Sequence, residues 1–420
     1  MAASHRMSKV RRDGGGLRAG VRWAHVVRLL SAVIVLLGFS AIVTAGAAQA
    51  SQPRVAAGSA WKVEPTPNQN RNAAGINELS AVSCTSGRAC TAVGSHAASL
   101  SSPGFTLAER WNGTSWQIQP TILPKGAESA SLTGVSCPSA TACTAVGSAF
   151  VKATRRSVNL AEAWNGTSWR VQAIPAPKGA ANSLLFGVSC TSPTACTAVG
   201  YYNNTAGRAV AQAERWNGTT WRLQVVPMPA SMELFGVSCS AARACTAVGY
   251  RTGTGGTGPL AEAWNGTRWH AQAVPLPHGS PGGILDAVSC TSPRACTATG
   301  ANFTTTGPTL AERWNGTRWR VQPAPYPANS GLSREEVQLN AVSCTSATAC
   351  TASGAYAPGG HPAYFLEAWN GRSWRLVTAP HPAGFVQGAL NGVSCALARC
   401  TAVGAWTGGP ISIATLAMAG

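Results

Sequence analysis

Charged side chains are scarce in this sequence, and aspartate is almost absent. Lysine, arginine, aspartate and glutamate make up 11% of the 420 residues, against the roughly 25% that is usual in soluble domains. The 14 acidic residues include only two aspartates, Asp13 and Asp286. The sequence therefore argues against enzymes built on aspartate dyads or triads, and against calcium loops rich in aspartate.

Glycine, proline and small apolar residues are abundant instead. The chain has 46 glycines, 26 prolines and a hydrophobic content of 45%. Such a hydrophobic content argues against disorder, and the glycines and prolines favour strands and turns over surface helices.

The net charge of +18 comes mainly from arginine. Residues 51–420 contain 25 basic and 13 acidic residues, and the basic ones are spread along the chain. No Lys/Arg cluster or RNA-binding motif is present, so we predict no nucleic-acid partner. An anionic cell-wall polysaccharide suits such a surface better.

The N-terminal segment has the pattern of an export signal. A basic stretch ends at Arg28, an apolar run follows from Leu29 to about Val43, and Ala48-Gln49-Ala50 resembles a cleavage site. We predict a signal peptide at 1–50 and a short linker at 51–59. The alternative is an uncleaved membrane anchor, because residues 29–48 approach the roughly 20 residues that span a bilayer. Either interpretation predicts a protein that is secreted or lies on the extracytoplasmic cell surface, where cysteines can pair.

All 14 cysteines belong to an internal repeat. The first cysteines of seven pairs are spaced by 49 to 54 residues, and five residues separate the partners in every pair except the last, which has four. We predict a disulfide within each pair, since zinc sites usually bring four ligands at tighter spacing and no histidine lies beside these cysteines. The predicted bonds are Cys84–Cys90, Cys137–Cys143, Cys190–Cys196, Cys239–Cys245, Cys290–Cys296, Cys344–Cys350 and Cys395–Cys400.

Each repeat divides into four short strands, A to D. In one unit the chain reads LLFGVSC, a turn, CTAVG, a variable stretch, and then AQAERWNGTTWRLQVVPMP. Strand A ends at the first cysteine, strand B begins at the second, strand C runs into the first tryptophan, and strand D starts at the second. The Asn-Gly between the tryptophans predicts a type I′ hairpin turn, with positive φ at both residues. It occurs at Asn112, Asn165, Asn217, Asn265, Asn315 and Asn370.

Four antiparallel strands in about 52 residues, repeated side by side, are typical of propeller blades, with a linear solenoid as the alternative. Residues 59–67 match a strand D that lacks strands A to C, and the last unit ends without a strand D. A ring can use this split to join its ends and remove open sheet edges. We therefore predict an all-β, seven-bladed propeller over residues 60–420, closed by the N-terminal strand pairing into the last blade.

The unit resembles the kelch repeat of galactose-oxidase-type propellers. Thr197-Ala198-Val199-Gly200, then Trp216 to Trp221, then Pro227-Met228-Pro229 follow the order of the kelch pattern. One glycine stands where kelch units usually have two, and the paired cysteines are not part of that pattern. The resemblance implies a propeller fold and does not specify a function.

Two further rows of residues recur in the blades. Paired tryptophans could stack on sugars, but packing between neighbouring blades is the favoured interpretation. A glutamate two residues before the first tryptophan could form a cation site or an acid/base set, whereas hydrogen bonding inside its own blade is favoured. The glutamates are Glu109, Glu162, Glu214, Glu262, Glu312 and Glu367, and Met418 takes this place in the seventh blade.

Variation is concentrated on one face of the predicted ring. The A–B and C–D turns share one face and hardly vary, while the B–C hairpins and D–A links on the other face differ in every unit. We predict the binding surface on this variable face, since scaffolds place recognition in variable loops. Its candidate residues are Lys152, Arg155, Arg156, Tyr201, Tyr202, Asn203, Tyr250, Arg251, Tyr356, His361 and Trp406.

One strand A position also varies, and it should approach the central channel if strand A is innermost. Its residues are Ser80, Thr133, Phe186, Phe235, Asp286, Asn340 and Asn391. Their mixture of apolar and polar types argues against a shared catalytic centre.

The function predicted from these features is a non-catalytic exported scaffold that binds a protein or a cell-surface polysaccharide. The alternative is a secreted propeller enzyme that acts on carbohydrate, of glycosidase or oxidase type. The sialidase box is absent and the histidines are isolated in different units. No catalytic residue, metal site or cofactor is predicted.

Overall fold

The described part of the chain forms a ring of seven antiparallel sheets. The computed structural model describes residues 60–69, 74–227, 231–304, 308–327, 337–357, 361–397, 399–409 and 412–420. These residues form 28 strands in seven four-stranded sheets, so the predicted seven-bladed propeller is confirmed. No helix long or apolar enough to cross a membrane occurs among them. The predicted signal peptide and linker, 1–50 and 51–59, lie outside the described residues.

Strands A and B form the inner half of each blade. The A strands are β2 (Ile76–Ser86), β6 (Ala127–Ser139), β10 (Ala180–Ser192), β14 (Ser231–Ala241), β18 (Gly283–Ser292), β22 (Val337–Ser346) and β26 (Gln387–Ala396). The B strands are β3 (Ala89–Ala97), β7 (Ala142–Val151), β11 (Ala195–Asn204), β15 (Ala244–Gly253), β19 (Ala295–Asn302), β23 (Ala349–Tyr356) and β27 (Arg399–Thr407).

Strands C and D form the outer half. The C strands are β4 (Phe105–Trp111), β8 (Arg156–Trp164), β12 (Ala209–Trp216), β16 (Gly256–Trp264), β20 (Thr309–Trp314), β24 (Ala363–Trp369) and β28 (Ala414–Ala419). The D strands are β5 (Trp116–Gln119), β9 (Trp169–Val171), β13 (Trp221–Gln224), β17 (Trp269–Gln272), β21 (Trp319–Gln322), β25 (Trp374–Val377) and β1 (Lys62–Glu64).

Strand A is the innermost strand of every blade. Each sheet has the order A-B-C-D, and each A strand contacts the A strands of both neighbouring blades. The seven A strands therefore enclose a central channel, and the D strands lie at the rim.

The N-terminal strand closes the ring. Strand β1 pairs antiparallel with β28, and Val63 lies opposite Met418. The same junction carries a contact between the Arg399 guanidinium and the Glu64 carboxylate. The first described strand thus completes the sheet of the last blade, as predicted.

The tryptophan that begins strand D fills the space between blades, as predicted. These six indoles are 1–4% exposed. Trp169 of the second blade, for example, shares a cluster with Val93 and Ala108 of the first. Its counterpart Trp221 donates from Nε1 to Gln172 Oε1 of the preceding blade at 2.9 Å. Large rings thus supply the apolar area that short strands cannot.

Each cysteine pair links strands A and B of a single blade. The sulfur atoms lie 1.99–2.08 Å apart in all seven pairs, with the partners that the spacing predicted. These pairs fit disulfide bonds and suit an oxidising, extracytoplasmic compartment.

The turn type predicted for Asn-Gly is wrong. The two tryptophans pair with each other, as in Trp111 and Trp116, so four residues rather than two connect the strands. Only the glycine has positive φ, +98° at Gly113. The Asn112 side chain instead accepts hydrogen bonds at Oδ1 from the amides of Thr114 and Ser115, both at 2.9 Å. Asparagine serves here as a side-chain turn mimic rather than as a left-handed residue.

Candidate binding site

A β-bulge in strand A directs one variable side chain of every blade into the channel. In the middle of strand A, the pairing of strands A and B skips one residue in each blade, as between Leu185 and Gly187 in the third. The skipped residues line the central cavity, because a bulge re-aims the side chain that it leaves outside the ladder. They are the seven residues predicted to approach the channel, Ser80, Thr133, Phe186, Phe235, Asp286, Asn340 and Asn391.

The glycine of the Cys-Thr-Ala-Val-Gly run, or its variants, makes this bulge possible. A Cβ atom on these glycines would lie 1.9–2.4 Å from a carbonyl oxygen of strand A, and at Gly200 this atom is Leu184 O at 2.0 Å. Because any side chain would displace the strand A backbone, glycine is required at this position.

The channel holds a cavity of about 360 Å³, within the size range of ligand pockets. The bulge residues surround it, and Glu78, Ser131 and Leu184 line it closer to the variable face. These three lie two residues before a bulge residue, so sequence reasoning missed them although a two-residue strand period would have found them.

One sector of the channel wall is aromatic. The Phe186 and Phe235 rings lie edge to face with centroids 5.4 Å apart. Behind them, Tyr201 stacks on Phe186 at 5.8 Å and Tyr250 lies 5.6 Å from Phe235. The buried cluster behind these rings extends to Ile284 of the fifth blade, whereas the aromatic sector of the wall itself comes from the third and fourth blades.

Two predicted binding residues, Tyr201 and Tyr250, therefore do not present their side chains on the loop surface. They are 7% and 3% exposed. The Tyr250 hydroxyl donates to Glu233 Oε1 at 2.6 Å, and burial, followed by the Glu233 charge, raises the pKa of Tyr250 far above its usual value. Both tyrosines support the channel wall from behind.

The opposite sector is polar, and its side chains bridge neighbouring blades. Asp286 Oδ2 accepts a hydrogen bond from Gln338 Nε2 at 2.7 Å. Asn340 Nδ2 donates to Leu390 O at 2.9 Å. Asn391 Nδ2 donates to Glu78 Oε1, also at 2.9 Å. Glu78 and Asp286 bring two carboxyl groups to the cavity, and no lysine or arginine of the described residues lines it.

The remaining predicted residues lie at the variable-face ends of several blades, and Lys152, Arg155 and Arg156 share one hairpin. Lys152 is exposed and pairs with Glu128, with Nζ and Oε1 3.3 Å apart. Arg155 has φ +53° at the tip of its hairpin. Exposed side chains also include those of Arg156, Arg251 and His361, whereas Tyr202, Asn203, Tyr356 and Trp406 are half-buried.

The repeated glutamates form no shared catalytic or cation site within the described ring. They are 0–1% exposed and lie inside separate blades. The expectation that each accepts hydrogen bonds in its own blade is wrong for Glu162, Glu214, Glu312 and Glu367, whose oxygens accept none from the described residues. Desolvation raises the pKa of Glu162 to about 7 and that of Glu214 to about 8, so both are largely neutral below these values.

Comparison with solved structures supports the fold. The structure titled "YCF48 bound to D1 peptide" is similar over 88% of this chain and 97% of its own, with a TM-score of 0.51 and 11% identity. The WD40 β-propeller domain of Doa1 is similar over 86% of this chain and 97% of its own, with a TM-score of 0.51 and 9% identity. No protein-family model and no curated protein sequence matches the chain. At these identities the likeness concerns the propeller fold alone.

Proposed function

We propose that this protein is an exported, non-catalytic scaffold that holds a segment of a protein partner at the channel opening on the variable face. The observation that carries the proposal is the two-sided wall of the 360 Å³ cavity. An aromatic sector can bury one apolar side chain of the partner, while the polar sector offers groups that fix its orientation.

The charge of the cavity favours a basic partner segment. Among the described residues, Glu78 and Asp286 are the only charged side chains that line it. A lysine or arginine next to an apolar residue would match both sectors, because complementary charge selects the partner and sets the register.

The buried indoles and one structural neighbour favour a protein ligand over a sugar. One similar propeller is described with a bound peptide. The paired indoles, which a lectin would expose, are used largely for packing between blades. The proposal retains two predictions from the sequence, a kelch-like repeat and secretion. Binding of a polysaccharide is the alternative that the experiment below also measures.

A peptide-display selection on oxidised residues 51–420 tests the proposal. We expect selected peptides to combine a basic and an apolar residue, and to lose at least tenfold in affinity in a Glu78→Gln, Asp286→Asn variant. These replacements keep side-chain size and remove the two cavity charges.

Glu128→Gln is the matched control, because it removes an exposed carboxylate outside the cavity. The affinity of this variant for the selected peptides should equal that of the wild type. Equal binding by the cavity variant, or binding of cell-wall polysaccharides without any peptide, would overturn the proposal.

A further inference from the structure

The face opposite the variable loops carries a ring of exposed arginines. This face is formed by the A–B turns, the C–D turns and the first residues of strand D. We call the following ten exposed residues the arginine face: Arg88, Arg170, Arg222, Arg243, Arg268, Arg294, Arg318, Arg320, Arg372 and Arg375.

No exposed carboxylate of the described chain balances this charge. Six of its glutamates are the buried row in strand C, and Glu64 contacts Arg399. The others, Glu78, Glu128, Glu233 and Asp286, lie along the channel or at the variable-face end of strand A. Among the described residues, the exposed charged side chains of the arginine face are therefore all basic.

Packing positions several of these arginines. The side chain of Arg88 lies against the turn glycine Gly113, whose added Cβ would be 3.2 Å from Arg88 Cβ. A second, half-buried set lies beneath. Arg110 stacks 4.9 Å from the Trp164 ring of the next blade and donates to Ala140 O at 2.8 Å. The inner arginines join the blades, and the outer ones remain available to a ligand.

The distribution of the arginines around the ring fits a flat anionic surface better than a linear polymer. Six blades contribute at least one residue to the arginine face, and the seventh contributes exposed Lys62. A linear polymer would need a continuous groove, whereas a flat anionic surface can contact all the blades at once.

The chain enters the ring at this same face. Strand β1 is a strand D, so its first residues lie beside the C–D turns, and the described chain begins at residue 60. The apolar run 29–48 precedes this point by only 11 residues. An extended chain of that length reaches at most about 40 Å. A membrane that held the apolar run would thus lie near the arginine face.

We propose that the arginine face docks on an anionic lipid surface, with the variable face directed away from the membrane. Arginine guanidinium groups bind lipid phosphates in a bidentate manner. Basic residues near an anionic membrane act together, so moderate individual attractions produce stable association.

Vesicle sedimentation with residues 51–420 tests the proposal without the apolar run, which could insert by itself. We expect binding to phosphatidylcholine vesicles that contain about one-third phosphatidylglycerol, and release at roughly 0.5 M salt. Vesicles of phosphatidylcholine alone should not bind.

Two variants of equal charge separate the faces. Arg222→Gln, Arg268→Gln, Arg318→Gln and Arg320→Gln together should lower vesicle binding at least tenfold. Lys152→Gln, Arg155→Gln, Arg156→Gln and Arg251→Gln together should leave it within twofold of the wild type. Equal losses in both variants would overturn the proposal. So would binding to inorganic polyphosphate with none to the vesicles.

Discussion

At the scale of single residues, six glutamates are buried at the same place in successive blades. Desolvation raises the pKa of Glu109, Glu214, Glu312 and Glu367 to about 8. The seventh blade has Met418, fully buried, at the same position. An uncharged side chain of similar length therefore suits the site, and the protonated glutamate approximates one.

We predict that the stability of the protein falls as pH rises from 5 to 8. Below the usual carboxyl pKa of 4.5, each of these glutamates is protonated in both the folded and the unfolded chain. Its contribution to the free energy of unfolding is then fully present. Between pH 4.5 and about 8, the glutamate keeps its proton only in the folded chain. Each pH unit therefore lowers the free energy of unfolding by up to about 1.4 kcal/mol per glutamate. Chemical denaturation across this range measures the slope.

The variant Glu214→Gln isolates one of these groups. It should be more stable than the wild type at pH 8, close to it at pH 5, and its stability should vary less with pH. Glu128→Gln is the matched control, because it removes one glutamate that pairs with Lys152 at the surface rather than one of the buried row. If the free energy of unfolding of Glu214→Gln fell with pH as steeply as that of the wild type, the Glu214 carboxyl group would not be buried in its neutral form.

At the scale of the strand, the bulge in strand A and the glycine of strand B that faces it depend on each other. The bulge directs a variable residue into the channel, and the glycine gives room for the displaced carbonyl. The scaffold can therefore change its channel lining one blade at a time while the ladder around the bulge is kept.

We expect Gly200→Ala to destabilise the protein by more than about 2 kcal/mol, because its Cβ would overlap Leu184 O and shift the backbone. Gly258→Ala is the control, since its added Cβ meets nothing within 4 Å. Thermal unfolding of both variants gives the comparison. Equal, small effects would mean that the bulge tolerates a side chain.

At the scale of the whole molecule, ring closure depends on a strand of three residues. Besides its pairing with β28, this end of the chain is held by Thr66, whose hydroxyl accepts a hydrogen bond from the Thr415 hydroxyl at 2.8 Å. Trp116 of the first blade also donates to Glu64 at 2.9 Å. One short segment thus joins the first and last blades.

A chain that begins at Gln69 should lose this closure. We expect a lower unfolding temperature and self-association, because strand β28 would become an open edge. Size-exclusion chromatography with light scattering should show a monomer for residues 60–420 and larger species for the shortened chain. A stable monomer in both cases would contradict the role of β1.

The sequence predicts the repeated frame of this ring better than its exceptions. Cysteine spacing and the unmatched strand D indicate seven blades and their closure, because both can be read directly from the sequence repeat. The bulge at Phe186, the four-residue turn at Asn112 and the burial of Tyr201 depend on contacts between strands or blades. The channel wall is therefore only partly predictable, because its aromatic sector depends on the packing of Phe186 against Phe235 of the adjacent blade.

A single sedimentation measurement tests whether the two faces bind different ligands. Anionic vesicles, residues 51–420 and a labelled peptide selected on the protein are mixed and spun together. We predict that the peptide sediments with vesicle-bound protein at its affinity in solution, because the proposed peptide site lies at the variable-face end of the channel and the arginine face lies at the other end. Release of the protein by the peptide, or exclusion of the peptide by the vesicles, would contradict this two-faced arrangement.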